Sequence, residues 1–278
     1  MSKFRTLALA CAISALTLNG AYAQSAPAPA APAKEFKPYS GQEGKDVVWV
    51  PTPDELVEAM LNMANVTKDD LLIDLGSGDG RTVIHAAKRG TKAHGIEYNP
   101  DMVALSQRNA QAAGVSELAT FERADIFKSD FSKATVITLF LLPTLNQQLR
   151  PTLLKMKPGT RVVSNTFDMG DWTPDDRIEA TGNCTSYCRA MKWVIPAQVD
   201  GAWRVGDGEL KLTQKYQMLE GSLTQGGKDL PITDAKMNGP TITFTAGGRK
   251  YTGEVAEDKM TGKVDGGDAW TATRAAKG

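Results

Sequence analysis

The sequence predicts an α/β fold with a doubly wound sheet, followed by a small all-β meander or barrel. Strand and helix patterns alternate from about residue 47 to residue 197, which is typical of a parallel sheet with crossover helices. A glycine-rich loop follows the first of these strands, as in Rossmann-like folds. From about Gly201 the apolar period changes to two and glycine becomes dense, which indicates short antiparallel strands.

The individual α/β elements follow from apolar period and boundary residues. The first helix is predicted at Thr52, because a capping threonine, a proline at the first helical position and a glutamate three residues after the cap coincide there. The apolar run from Leu71 to Leu75 predicts a strand that is buried on both faces. The remaining predicted helices are Thr82 to Lys88, Asn99 to Gly114 and Leu145 to Met156, and the remaining strands are Ala93 to Glu97, Ala119 to Glu122, Thr135 to Leu141 and Arg161 to Ser164.

The C-terminal region contains a short repeat. It occurs as LEGSL (Leu219 to Leu223), YTGEV (Tyr251 to Val255) and MTGKV (Met260 to Val264). Glycine at the same place in three strands predicts matching bends in a meander or barrel. The predicted domains are a signal peptide (1–23), a Pro/Ala-rich linker (24–45), the α/β domain (46–200) and a small all-β domain (201–278).

The N-terminus has the pattern of a secretory signal peptide. Lys3 and Arg5 precede an apolar run, and Ala21-Tyr22-Ala23 is a small-x-small cleavage site before Gln24. We therefore expect cleavage after Ala23 and an exported, periplasmic protein without a stable membrane span in the mature chain. The apolar run is shorter than the roughly 20 residues of a spanning helix, so a retained membrane anchor is the weaker alternative.

Composition and cysteine spacing limit the partners and cofactors. The 32 basic and 32 acidic side chains give a net charge of zero, so we expect no nucleic-acid partner. On one strand, Cys184 and Cys188 would lie about 13 Å apart, and a disulfide allows about 7 Å. A bridge therefore requires a turn or helix between them, and the bridged and free states both stay open. Because His85 and His94 are the two histidines that could join these cysteines as metal ligands, no metal site is predicted.

The sequence DLGSGDGR, Asp74 to Arg81, lies where the first strand of the sheet turns into its helix. Its glycines would let a ligand approach the backbone. They are Gly76, Gly78 and Gly80. Dinucleotide sites have the spacing G-x-G-x-x-G and bind a pyrophosphate, which Asp74 and Asp79 would repel here. A cationic ligand without phosphate suits these acids, and S-adenosylmethionine is such a ligand.

Two further acids complete the predicted cofactor site. Glu97 ends the second strand of the sheet, where a carboxylate can accept hydrogen bonds from both ribose hydroxyls. Asp125 follows the third strand, where it can accept from the adenine amino group. The predicted cofactor-binding residues are Asp74, Gly76, Gly78, Asp79, Gly80, Glu97 and Asp125.

At these residues the sequence resembles the class I, seven-strand S-adenosylmethionine-dependent methyltransferases. With VPTP (Val50 to Pro53) and WTPD (Trp172 to Asp175), it resembles more narrowly the protein-lysine methyltransferases of the ATP-synthase c-subunit type and their bacterial relatives. The resemblance implies an enzyme that N-methylates a protein lysine. The alternatives are a small-molecule methyltransferase and a non-catalytic exported cofactor- or ligand-binding protein. FLLP (Phe140 to Pro143) replaces the Asn-Pro-Pro-Tyr motif of nucleic-acid-base and glutamine methyltransferases, which argues against those classes.

The methyl acceptor is expected at the ends of the fourth and fifth strands. Methyl transfer needs a deprotonated acceptor, aligned with the sulfonium methyl and shielded from water. Phe167 and Trp172 could wall a channel there, and Asp168 could hold a cationic lysine. For each residue, packing at the sheet edge is the alternative, and for Trp172 this means anchoring its loop. The acceptor-side candidates are Leu142, Pro143, Asn165, Phe167, Asp168 and Trp172, and no catalytic residue is assigned.

Overall fold

The α/β part is built on one seven-stranded sheet, and its first two strands form a separate two-stranded sheet. The computed structural model describes residues 36–180 and 184–275, so the predicted signal peptide, its cleavage site and the first part of the linker lie outside the described residues. The strands of this part are β1 (Gln42–Glu43), β2 (Val48–Trp49), β3 (Leu71–Leu75), β4 (Lys92–Glu97), β5 (Ala119–Arg123), β6 (Val136–Leu139), β7 (Arg161–Asn165), β8 (Asp176–Glu179) and β9 (Arg189–Val194). The helices are α1 (Asp54–Met63), α2 (Arg81–Lys88), α3 (Pro100–Ala112) and α4 (Pro143–Leu153).

The sheet order is β5-β4-β3-β6-β7-β9-β8. Strands β3 to β7 pair in parallel, which confirms the predicted doubly wound sheet. Leu72, Leu75 and Ile137 are fully buried in its centre, because helices cover both faces of the parallel part. The strands β8 and β9 add antiparallel pairs at one side. They are absent from the predicted strand set.

Helix α1 begins one cap position later than predicted. Pro53 is the N-cap residue and makes no side-chain capping bond. The Thr52 hydroxyl accepts a hydrogen bond from Asn165 Nδ2 (3.2 Å), and the Thr52 carbonyl accepts one from Arg81 Nη1 (2.8 Å). Thr52 therefore joins the helix entry to β7 and α2 instead of capping α1.

The C-terminal part is a closed barrel of eight antiparallel strands. They are β10 (Gly201–Val205), β11 (Gly208–Lys215), β12 (Met218–Gln225), β13 (Lys228–Asn238), β14 (Thr241–Ala246), β15 (Arg249–Ala256), β16 (Lys259–Val264) and β17 (Ala269–Arg274). The barrel closes because β10 pairs with β17. Aromatic rings fill its interior, where Phe244 stacks on Tyr251 at 4.7 Å between centroids and meets Trp270 edge-on at 5.8 Å.

The repeated glycines of the barrel lie where backbones approach closely. A Cβ atom at Gly221 would lie 1.8 Å from the Lys211 carbonyl oxygen, and one at Gly262 would lie 2.0 Å from that of Thr252. A Cβ atom at Gly253 would lie 2.6 Å from the Trp270 ring. The repeat thus reflects close contacts around the barrel, which only glycine permits at these positions.

The barrel packs against the loop that follows β7. Trp172 is fully buried there, and its Nε1–H donates to Gln217 Oε1 (2.9 Å). The Trp172 ring stacks on Tyr216 at 5.5 Å between centroids. The Tyr216 hydroxyl donates to Asp171 Oδ1 (2.9 Å), which also accepts from Arg150 Nη1 (2.6 Å). The loop after β7 is therefore shared between the sheet and the barrel.

Cys184 and Cys188 form a disulfide in the connection between β8 and β9, with 5.7 Å between their Cα atoms. A turn between the two cysteines brings them together, as a bridge at this spacing requires. Among the described residues, no helix is long and apolar enough to cross a membrane.

Candidate functional site

The carboxyl ends of the parallel strands surround a cavity of about 410 Å³. Its walls comprise the glycine loop after β3, the acids after β4 and β5, the hairpin formed by β1 and β2, and apolar residues after β6 and β7. A cavity of this size at this edge of a doubly wound sheet is where such folds bind their ligands.

Asp74 is the buried acid of this cavity, at 7% exposure. Burial raises the pKa of its carboxyl group to about 7, although the Thr138 hydroxyl donates to Oδ1 at 2.6 Å, and the charges of Glu97 and Asp79 act in the same direction as burial. A positively charged ligand group would favour the ionised form of Asp74. The acid therefore fits the ammonium or sulfonium of the predicted cofactor.

Two of the three glycines in the loop line the cavity. Gly76 and Gly78 have φ values of +81° and +54°, and a Cβ atom at Gly78 would lie 2.5 Å from Trp49 Nε1. Gly80 has a different role, because a Cβ atom there would lie 2.6 Å from Ser106 Cβ and 2.7 Å from the Phe121 ring. Gly80 thus lets α2 begin in close contact with α3 and β5, and its predicted contact with the cofactor stays a prediction.

Glu97 lies at the end of β4 and lines the cavity. Its Oε2 accepts from the Gly78 N–H (2.9 Å), and its Oε1 accepts from the Asn99 N–H (2.9 Å). Each carboxylate oxygen has two lone pairs, so one per oxygen stays available after these bonds. The backbone therefore orients Glu97 in a way that fits two ribose hydroxyls, and this role stays a prediction.

Asp79 lines the cavity and forms a two-pronged ion pair with Arg81. Arg81 Nε donates to Oδ1 (3.0 Å) and Nη2 donates to Oδ2 (2.7 Å). The prediction treats Asp79 as a negative charge that faces the cofactor and does not include its ion pair with Arg81. Arg81, the last residue of DLGSGDGR, is the sequence feature that could have predicted this ion pair.

Asp125 lines the adenine side of the predicted site, where Lys45 contacts it. Lys45 Nζ lies 3.2 Å from Asp125 Oδ2, and also 5.2 Å from the centroid of the Tyr98 ring. A hydrogen bond from the Phe127 N–H, together with Lys45, lowers the pKa of the Asp125 carboxyl group. Lys45 belongs to the hairpin of β1 and β2, so the predicted linker (24–45) is corrected at its C-terminal end, which packs on the α/β domain.

Three aromatic rings line the acceptor side of the cavity. Phe140 follows β6, Phe167 follows β7, and Tyr187 belongs to the disulfide-bonded turn between β8 and β9. Phe167 is among the predicted acceptor-side candidates, and Tyr187 is not. The position of Tyr187 between Cys184 and Cys188 is the sequence feature that could have indicated it. Leu142, another predicted candidate, lines the cavity as well.

The other acceptor-side candidates lie outside the cavity lining. Asn165 is buried and donates to Thr52, Asp168 accepts from the Gly170 N–H (3.0 Å), and Pro143 is the first residue of α4. Trp172 is fully buried in the core of the α/β part and contacts Tyr216 and Gln217, and the expectation that it borders the acceptor pocket stays a prediction. The alternative that Trp172 anchors its loop agrees with this position.

Comparisons with known proteins place the similarity in the α/β part. Residues 74–176 match the family model of the ANTKMT methyltransferase domain. A protein-lysine N-methyltransferase of Saccharolobus islandicus is 43% identical over 136 residues, which are 48% of this chain and 84% of that protein. The ATP-synthase c-subunit lysine N-methyltransferase of Mus musculus is 38% identical over 128 residues, which are 46% of this chain and 51% of that relative.

A solved structure adds the fold and a bound ligand. The crystal structure of an RNA methyltransferase from Salinibacter ruber in complex with S-adenosyl-L-homocysteine is 46% identical, with a TM-score of 0.50. The match covers 54% of this chain and 96% of that chain. The family match ends at residue 176, before β9, the disulfide and the barrel.

Proposed function

Because this chain belongs to the S-adenosylmethionine-dependent methyltransferase family that includes these protein-lysine enzymes, we propose that it methylates the ε-amino group of a lysine in a protein. The observation that carries the proposal is a cluster of three aromatic rings in the same cavity that the glycine loop and the acids line. Phe140, Phe167 and Tyr187 lie 5.2 to 6.2 Å from one another between ring centroids, and all three line the cavity. An apolar, aromatic side suits the alkyl chain and amine of lysine.

The residues of the chain have separable roles in this reaction. When bound, S-adenosylmethionine supplies an electrophilic methyl group on sulfur. Asp74 and Glu97 are suited to hold the cationic and ribose parts of the cofactor, and both lie at the carboxyl ends of strands. The rings attract the protonated lysine as it enters, and the charged form is disfavoured at the point of attack, where water is excluded beside a cationic cofactor. The neutral amine, which is the nucleophile, is thereby favoured without a dedicated base.

A protein acceptor is favoured over RNA, although one relative is an RNA methyltransferase. The net charge of zero gives no broad positive field for a polyanion. The sequence FLLP after β6 also differs from the Asn-Pro-Pro-Tyr motif of base methyltransferases. Two relatives are named as lysine N-methyltransferases of proteins, which also favours a protein acceptor.

Export belongs to this proposal. The signal-peptide pattern and the Cys184–Cys188 disulfide both suit an oxidising compartment. The acceptor is then an envelope protein, and the mature chain begins at Gln24. Mass measurement of the N-terminus after fractionation tests this part, and intact Met1 on cytoplasmic protein would contradict it.

Transfer of labelled methyl groups tests the activity. Purified mature protein is incubated with methyl-labelled S-adenosylmethionine and separate protein, RNA and small-molecule fractions of the cell envelope and cytoplasm. We expect label in protein, recovered as methyl-lysine after hydrolysis. The Glu97→Ala variant serves as the low-affinity control. Label confined to RNA or to small molecules would remove the lysine proposal and leave the methyltransferase assignment intact.

A further inference from the structure

Three rings from three different connections meet at the acceptor side of the cavity. Phe140 and Phe167 are stacked, with 6.1 Å between their centroids. Tyr187 meets Phe140 edge-on at 5.2 Å and lies 6.2 Å from Phe167. All three residues line the cavity. We call this group, Phe140, Phe167 and Tyr187, the aromatic wall.

Tyr187 reaches the wall from an exposed turn. Its side chain is 41% exposed, so the core does not hold it. Its φ is +54°, a left-handed conformation that a bulky residue rarely adopts. The turn is closed by the Cys184–Cys188 disulfide, which restricts the backbone on both sides of Tyr187. Such conformations persist where surrounding constraints impose them, often beside functional sites.

The two loops that carry Phe167 and Tyr187 are joined through the backbone. The Thr166 N–H donates to the Arg189 carbonyl (2.7 Å), which places the start of β9 beside the residue that precedes Phe167. Thr166 also has a positive φ, at +59°. A residue of positive φ thus precedes Phe167 directly, and it is bonded to the strand that begins two residues after Tyr187.

We propose that the Cys184–Cys188 disulfide positions Tyr187 as the third ring of an acceptor wall that recognises the alkylammonium and amine forms of lysine. This inference rests on the proposed function and adds to it the residue that sets acceptor recognition. Aromatic rings attract a cation through their faces and cover the apolar alkyl chain. The disulfide acts through Tyr187 and does not touch the cofactor residues.

Variants of Tyr187 test the wall. For Tyr187→Leu, KM for a lysine-bearing protein acceptor should rise about tenfold, while the Kd for S-adenosylhomocysteine stays within twofold of the wild-type value. Tyr187→Phe keeps the ring and should keep KM within about threefold. Met218→Ala, which truncates an exposed apolar residue on the barrel, is the matched control. Equal KM values for Tyr187→Leu and the wild type would overturn the inference.

Removal of the disulfide tests the positioning role. The double variant Cys184→Ser/Cys188→Ser should show the KM increase of Tyr187→Leu, with cofactor affinity unchanged. Treating the wild type with a phosphine should do the same: the S–S bond takes two electrons and two protons to give two thiols, and the phosphine becomes its oxide with oxygen from water. The same phosphine should leave the double variant unaffected. Wild-type KM in the double variant would overturn the role of the disulfide.

A binding measurement separates this inference from the proposed function. A peptide containing trimethyl-lysine should bind the S-adenosylhomocysteine complex of the wild type more tightly than that of Tyr187→Leu. Lysine methylation by the wild type with equal peptide affinity in both proteins would overturn the wall alone. Absence of lysine methylation by the wild type would overturn the proposed function, and the wall with it.

Discussion

At the scale of single residues, the carboxylates of the cavity differ in what holds them. Glu97 accepts two backbone N–H groups, Asp79 pairs with Arg81, and Asp125 pairs with Lys45. Asp74 is the most deeply buried of the four and has a hydroxyl group as hydrogen-bond donor. These four acids therefore differ in the groups with which a bound ligand would compete.

Replacing Glu97 should weaken cofactor binding. Glu97→Ala removes two expected hydrogen bonds to a charged acceptor, each worth about 1.5 to 3 kcal/mol before compensation by water, so affinity should fall at least tenfold. Calorimetric titration with S-adenosylmethionine measures this. Glu122→Ala, at a half-exposed acid of β5, is the matched control, and unchanged affinity in a folded Glu97→Ala protein would falsify the ribose role.

Asp74 should make the stability of the ligand-free protein fall as pH rises. Its folded pKa of about 7 lies above the ordinary value of 3.8, so between these values the folded state binds a proton that the unfolded chain has lost. Stability therefore decreases through this window, by up to about 4 kcal/mol. Urea unfolding at pH 5 and pH 8 should show about 3 kcal/mol of this decrease, because pH 5 already lies inside the window. Asp74→Asn should reduce it, and an identical pH dependence in both proteins would contradict the assignment.

At the scale of elements, the glycine loop combines a ligand-facing part and a packing part. Gly76 lines the cavity, whereas Gly80 begins α2 with φ at +82°. Spacing alone cannot separate these roles, because the contact that decides them comes from α3 and β5.

Alanine substitutions should separate the two parts. Gly80→Ala forces a Cβ atom against Ser106 and Phe121 and should destabilise the protein by about 2 to 4 kcal/mol. Gly76→Ala shares the cost of a left-handed backbone with Gly80→Ala, but its Cβ atom meets only the end of the Leu141 side chain, at 3.2 Å, so it should cost less stability and should reduce cofactor affinity. Thermal melts and calorimetric titration of both variants test this. A larger loss of stability in Gly76→Ala than in Gly80→Ala would contradict the division.

The buried elements are predictable from the sequence, and the exposed ones are much less so. The run from Leu71 to Leu75 matches β3 residue for residue, because a strand buried on both faces is apolar at nearly every position, here at all but Asp74. In contrast, β8 reads DRIE and is largely exposed, so no apolar period marks it. The hairpin containing Lys45 could not be told from a linker in the sequence, because Asp125, its contact partner, lies 80 residues further along the chain.

At the scale of the whole molecule, one loop serves both the cavity and the barrel. Phe167 lines the cavity, and Trp172, five residues later, contacts Gln217 and Tyr216 of the barrel. Asn146 Nδ2 donates to the carbonyls of Phe167 and Asp168 (both 3.1 Å). The barrel thus supports the segment that presents one ring of the aromatic wall.

Trp172 should act as an anchor for this loop. Trp172→Ala removes a fully buried indole and should cost about 3 to 5 kcal/mol of stability, with turnover falling as the loop loosens. Trp172→Phe keeps an aromatic ring and loses the bond to Gln217, so it should cost less. Calorimetric melts and methyl-transfer assays measure both effects. Reduced turnover in Trp172→Ala with an unchanged melting temperature would contradict the anchor role.

The outer strand β8 has a consequence for how the protein behaves in a crowded compartment. It is an edge strand of the seven-stranded sheet, and the unpaired backbone groups of an edge strand can pair with a strand of another chain. Three of its four residues are charged: Asp176, Arg177 and Glu179. A strand that added to this edge would have to accommodate charges of both signs beside its backbone. The charged edge therefore disfavours pairing between the β8 strands of two copies of the protein.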